Sequence, residues 1–275
     1  MKRSWWQPCM VLVLVFGAGA CEAEVGSSSA DQTEARTGGD RSGAASGFVD
    51  PFAEGAGDGP AAPDDPECGG FFVATLRDFS ESHPDFQSYS NNSVTPGLVE
   101  SLLGKDGKPV YAHDGPTEVT SGPEAFEDWY RTREDVNVEF TRRLEFEVVD
   151  GISVFDDDAF FPLDGEGFGN EGNPHNYHFT TEIHARFSYQ GGENFRFDGD
   201  DDVWIFINDR LAIDLGGVHP ERSQEISLDA MADELNIEVG QTYDMDMFHA
   251  ERRTVESNFR VETNILCFSP VGPIK

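Results

Sequence analysis

The chain has 275 residues, of which 52 are Asp or Glu and 19 are Lys or Arg, giving a formal net charge of -33. A surface field of that sign repels nucleic acid and anionic lipid and gathers cations, which excludes nucleic-acid binding as a main role. The same acidity also serves plain solubility in an extracellular or salty setting.

Taken in order, Lys2 and Arg3 precede an apolar run from Met10 to Ala20 that ends in Ala18-Gly19-Ala20, just before Cys21. This pattern predicts a bacterial export signal over residues 1–20, too short to span a bilayer. Small residues before Cys21 suit a lipoprotein signal peptidase, which leaves a lipid on Cys21. The expectation is a protein anchored by lipid at the cell envelope, at the outer membrane or cell surface, with plain secretion as the alternative. Residues 21–67 are rich in Gly, Ala, Ser and Asp and hold few large apolar side chains, so they read as a flexible tether. A coil of this kind spans roughly 35 to 40 Å. Cys9 lies in the signal and Cys21 would carry lipid, so Cys68 and Cys267 remain, at the two ends of the next segment. In an oxidising compartment they predict a disulfide, worth about 5 kcal/mol at most in the chain-entropy view; two separate buried thiols are the alternative.

From Cys68 to residue 268 the chain becomes short runs of Phe, Val, Ile and Thr broken by Gly, Asn, Asp and Pro, which predicts an all-β sandwich or barrel, with 269–275 as a tail. Phe71 to Arg77 opens it, and Pro96 to Leu103 reads as a short helix. Gly122-Pro123 starts a second helix, with Phe126, Trp129 and Tyr130 spaced to face a core. Asp156-Asp157-Asp158 reads as a turn into Phe160-Phe161, and Gly165 to Gly169 as a loop. Thr180 to Tyr189 alternates as a half-buried strand. Val203 to Ile207 is apolar on both faces, hence a covered central strand, and Asn208-Asp209 turns the chain into Leu211 to Leu215. Thr242 to His249 and Asn258 to Cys267 read as the closing pair.

Five motifs occur in one order: Leu76-Arg77-Asp78-Phe79 with Ser82-His83-Pro84-Asp85-Phe86; Phe160 to Gly165; Phe197 to Asn208; Asp214 to His219; and Phe248 to Arg252. Across residues 70 to 266 this combination resembles the fibro-slime domain. That domain is similar to the protective-antigen-like group, a β-sandwich or barrel found in toxins, glycosidase inserts and yeast adhesins. In its adhesins an adjacent aspartate pair, sometimes joined by a cis peptide, holds calcium beneath a sugar. The resemblance puts that pair within Asp200, Asp201 and Asp202, without saying which two, and leaves Asp201 and Asp202 as the expected ligand-binding residues.

The residues lead to the same chemistry independently. Asp198, Asp200, Asp201 and Asp202 crowd carboxylates whose repulsion a hard cation relieves, since calcium takes six to eight oxygens. Asn258 is the expected additional ligand. A solvated acidic turn is the competing reading. An EF-hand is rejected because Val203 stands where its glycine belongs. His178, His219 and His249 invite zinc, but no paired-histidine helix supports it. No serine elbow or metalloprotease helix is present, so no enzyme is expected. The expected role is calcium-assisted recognition of extracellular carbohydrate in adhesion. The alternatives are a structural matrix protein and a carbohydrate-active hydrolase.

Overall fold

The computed structural model describes residues 68–89, 93–254 and 256–271. The export signal, Cys21 and the tether lie outside the described residues. The strands are β1 (Phe71–Phe79), β2 (Asn137–Glu145), β3 (Glu147–Val149), β4 (Ile152–Asp157), β5 (Phe179–Tyr189), β6 (Asn194–Gly199), β7 (Asp202–Ile207), β8 (Arg210–Leu215), β9 (Arg222–Ser227), β10 (Gln241–Glu251), β11 (Phe259–Thr263) and β12 (Ser269–Pro270). Helix α1 spans Pro123–Phe126 and α2 spans Leu228–Leu235.

These strands form two antiparallel sheets, one ordered β2-β1-β5-β10-β7-β8 with β12 beside β5, the other β3-β4-β11-β6-β9. The fold is therefore all-β. Period-two alternation builds the core between the sheets, with Ile183, Ala185 and Phe187 of β5, Val203, Ile205 and Ile207 of β7, and Phe259 and Val261 of β11 all buried.

A second apolar layer lies on the outer face of the larger sheet. Trp204 and Phe206 of β7 and Phe248 and Ala250 of β10 pack there against Phe86, Leu98, Val119, Phe126, Trp129 and Tyr130 from the insertion between β1 and β2. This explains why β7 is apolar on both faces and buried at every position. It also corrects the expectation for β5: Thr180, Glu182 and His184 are buried as well, because the insertion covers the face that alternation assigned to solvent.

Other departures have equally local causes. Residues 96–103 form no helix; Val99 and Leu102 instead make isolated bridges to Tyr111 and Arg210. The second predicted helix keeps only α1, although Phe126, Trp129 and Tyr130 are core as expected. Helix α2 was not anticipated, because it follows directly on β9 with an Asn236 end in the left-handed region, φ 53°. β10 and β11 do not pair with each other. They lie in different sheets, β10 between β5 and β7, β11 between β4 and β6. The sheet also continues past residue 268, since Ser269 and Pro270 pair with β5. At the Asn208-Asp209 hairpin both residues have positive φ, 52° and 62°, as a tight turn requires. Cys68 and Cys267 are joined in a disulfide, Cα atoms 5.1 Å apart.

The strand registers fix two ends. Gly69 pairs with Phe268 beside the disulfide at one end. At the other, β1 finishes opposite the start of β5, and four crossovers carry the chain between sheets: residues 158–178, 200–201, 216–221 and 252–258. β1, nine residues long, separates the two ends by roughly 30 Å.

Candidate functional site

The shortest crossover is the Asp200-Asp201 link, a cis peptide between the end of β6 and the start of β7. Its neighbours come from the other crossovers. The Asp200 carboxylate accepts the Asn258 backbone N–H at 2.5 Å and the Asn258 Nδ2 at 3.2 Å. Asp201 Oδ1 accepts the His219 backbone N–H at 2.9 Å, and its other oxygen accepts that of Arg252 at 3.3 Å. Asp200, Asp201 and Asn258, three of the four expected metal residues, are thus brought together.

Asp202 is set apart from them. It is fully buried, its Oδ2 2.6 Å from Arg252 Nε and its Oδ1 2.5 Å from the Gly217 backbone N–H. Gly217 has φ 109°, and a Cβ there would lie 2.9 Å from the Thr95 hydroxyl, so only glycine brings that N–H in without displacement. Arg252 is equally enclosed: it donates to the carbonyl oxygens of Asp85 and Val119 and stacks 4.6 Å over Trp129. The pair clamps the insertion to the base of the acidic link. Asp198 is also diverted, since Arg196 holds both its carboxylate oxygens at 2.7 and 2.8 Å.

Glu251, at the end of β10, completes the acidic group. It is 1% exposed, and its Oε2 has no hydrogen-bond partner. Burial raises its pKa well above the usual carboxylate range, and the nearby Asp201 and Asp200 raise it further. Burial likewise lifts Asp201 well above its ordinary value, with Asp202 and Asp200 adding to the effect against the pull of Arg252. Asp200 rises to about 6, mainly through burial. Three buried carboxyl groups therefore raise one another, and the guanidinium that offsets Asp201, that of Arg252, is already paired with Asp202.

The three histidines proposed for zinc are all otherwise engaged. His249 Nε2 lies 2.9 Å from the Asp200 carbonyl, and burial lowers its pKa to about 4, so it is a neutral donor that supports the link. His219 faces the Pro220 and Leu215 carbonyls, each at 2.9 Å. His178 lies against Glu171 and Gln87. Among the described residues no group of three or more His, Cys, Asp or Glu side chains is arranged to hold a metal ion, so any cation here draws on amide and carbonyl oxygens besides the aspartates. In the sequence Glu251 stands only within the Phe248 to Arg252 motif. Its position at the end of a buried strand, two residues past His249, was the available signal for a place in the site.

The β7 strand, the acidic link and the crossovers at 216–221 and 252–258 fall within one matched segment. Residues 167–266 match the PA14 domain. PA14 is a carbohydrate-binding, adhesion-type β module. Similar chains include the Dictyostelium discoideum protein psiQ, 37% identical over 197 residues, covering 66% of this chain and 20% of psiQ. Protein psiD of the same organism is 39% identical over 208 residues, covering 70% of this chain and 40% of psiD. The chain thus spans less than half the length of these relatives. Among solved structures, the PA14 sugar-binding domain from an RTX adhesin is 10% identical, with TM-score 0.28, covering 41% of this chain and 70% of that one. The PA14 domain of the MpAFP antifreeze protein is 9% identical, with TM-score 0.31, covering 74% and 85%. Among the described residues no helix is long and apolar enough to cross a membrane.

Proposed function

We propose that the domain is a non-catalytic binding module that recognises extracellular carbohydrate with the help of calcium, within the fibro-slime branch of the PA14-like group. The observation that carries this reading is the acidic end, where Asp200, Asp201 and Glu251 are buried together while the nearby Arg252 is committed to Asp202. Asp200, Asp201 and the Asn258 amide would hold the ion, and its charge would orient sugar hydroxyls. Asp202 acts beneath them by fixing the link. The disulfide at Cys68 lies at the opposite end of the domain, which suits a protein anchored by lipid at Cys21.

The test is thermal melting of the disulfide-intact protein in millimolar calcium and in chelator, followed by glycan binding in calcium. Ligand bound only by the folded state raises the melting temperature by mass action. The expected result is a calcium-dependent rise, accompanied by glycan binding that chelator abolishes. A calcium-dependent rise with no glycan bound would favour the structural matrix role. No rise at all would retire the cation site.

A further inference from the structure

A concave feature lies away from the acidic link itself. Between the edge strand β2 and the facing β4 lies a groove of about 320 Å³, lined by Phe155, Phe160, Phe161 and Pro162 with Arg142 and Asp157 among the polar residues. That size accommodates a sugar ring or two. Arg142 is the unusual element. In β2, Phe140 and Leu144 are the inward residues that pack on the core, and Arg142 lies between them on the same face. An inward charge on an edge strand discourages strand-to-strand aggregation, but here it also stands in the groove beside an aromatic floor.

The floor is rigid. Phe161 is stacked on His175 at 4.0 Å and 7°, with Tyr177 edge-on at 5.0 Å. The lining offers both donors and acceptors, Arg142 and Arg143 with Asp157, and Arg142 also pairs with Glu166 at 2.6 Å across a partly exposed contact. A rim of donors and acceptors over an aromatic floor matches a neutral sugar, which has apolar C–H faces and hydroxyls that both donate and accept. The net charge of -33 argues against an anionic glycan.

The groove also adjoins the acidic link through a single segment. Phe160 exchanges backbone and side-chain hydrogen bonds with Ser257, at 2.9 and 2.8 Å, and the next residue, Asn258, holds Asp200. We infer that the groove is a second subsite for neutral glycans, so that the domain reads an oligosaccharide whose one unit sits at Asp200 and Asp201 and whose following units lie on Phe161 beside Arg142. This rests on the carbohydrate reading proposed above.

The test is calorimetric titration of the full chain, in calcium, with neutral gluco-, galacto- and manno-oligosaccharides of one to six units. Affinity should climb at least ~10-fold from one unit to three for the preferred series, as added stacking and hydrogen bonds come into play. Phe161→Ala and, independently, Arg142→Gln should flatten that climb while leaving single-unit binding intact, with melting curves confirming that each variant is folded. Binding that is independent of length overturns the inference and leaves the carbohydrate reading standing, as does a climb unchanged in both variants. Failure of every member of the series to bind overturns both.

Discussion

Two buried charge clusters share strand β10 and resolve the same electrostatic problem in opposite ways. On the outer face of the larger sheet, Glu182 accepts a hydrogen bond from Arg77 at 2.7 Å and another from Lys108, and lies 2.5 Å from His184 Nε2. The other ring nitrogen of His184 is 2.5 Å from Asp246. Two acids thus meet three bases. Burial would raise Glu182, but His184, Arg77 and Lys108 bring it down to about 2, and the acids lift His184 to about 9 against the effect of its own burial. At the end of the same strand, Glu251 meets Asp201 and Asp200, and their pKa values all rise. The comparison teaches that buried acidity alone does not mark a binding site. The cluster that carries its own counter-charge is architectural, and the one whose nearby arginine is committed to Asp202 is the one at which a cation is proposed to bind.

The sharpest way to break the comparison is Arg252→Met, which leaves Asp202 buried without its partner. Loss of a buried partner of this kind costs about 3–5 kcal/mol, so chemical denaturation should show a deep fall in stability, with or without calcium. A small effect would mean that Arg252 is not the clamp described above. Asp201→Asn should separate the two conditions. In chelator at pH 7 the variant should be as stable as the parent or more so, because a carboxylate that folding disfavours is gone. In calcium it should lose the ion-dependent rise, about 5–10 °C for a ligand at a hundred times its Kd on a domain of this size. An unchanged rise would remove Asp201 from the site.

Lys108→Met reaches only the neutralised cluster. A loss of about 1–3 kcal/mol is expected, and the calcium response should be untouched; a lost response would show that the two clusters are coupled. A further effect should come from pH. His184 has a folded-state pKa raised to about 9 from an ordinary 6.5. Its contribution is therefore complete below pH 6.5 and lost as pH rises through 9. The parent's melting temperature should fall by several degrees over that interval, and His184→Gln should abolish the fall. Equal slopes in parent and variant would show that the His184 proton is not held by the network.

The candidate site was legible where short-range chemistry governs it. The run Asp200 to Asp202 is visible as crowded carboxylates, and Asn258 was named with it, but their division of labour was not. Asp202 lies one residue from Asp201, yet it belongs to a buried ion pair with an arginine 50 positions away. Glu251 is not recognisable as a site residue for the same reason, because its burial and the neighbouring Asp201 and Asp200 come from distant segments.

Sequence by itself determined the strand-rich composition, the Asn208-Asp209 turn and the two-faced burial of β7, since each follows from periodicity or backbone preference, and it left Cys68 with Cys267 as an expected disulfide that the structure bears out. Only the tertiary structure decided that β10 and β11 lie in separate sheets, that an insertion covers Glu182 and His184, and that four crossovers meet around Asp200 and Asp201. Alternation fixes which side of a strand is apolar. Which strand pairs with which, and what covers the opposite face, depends on contacts between residues far apart in the chain, and no local pattern contains them.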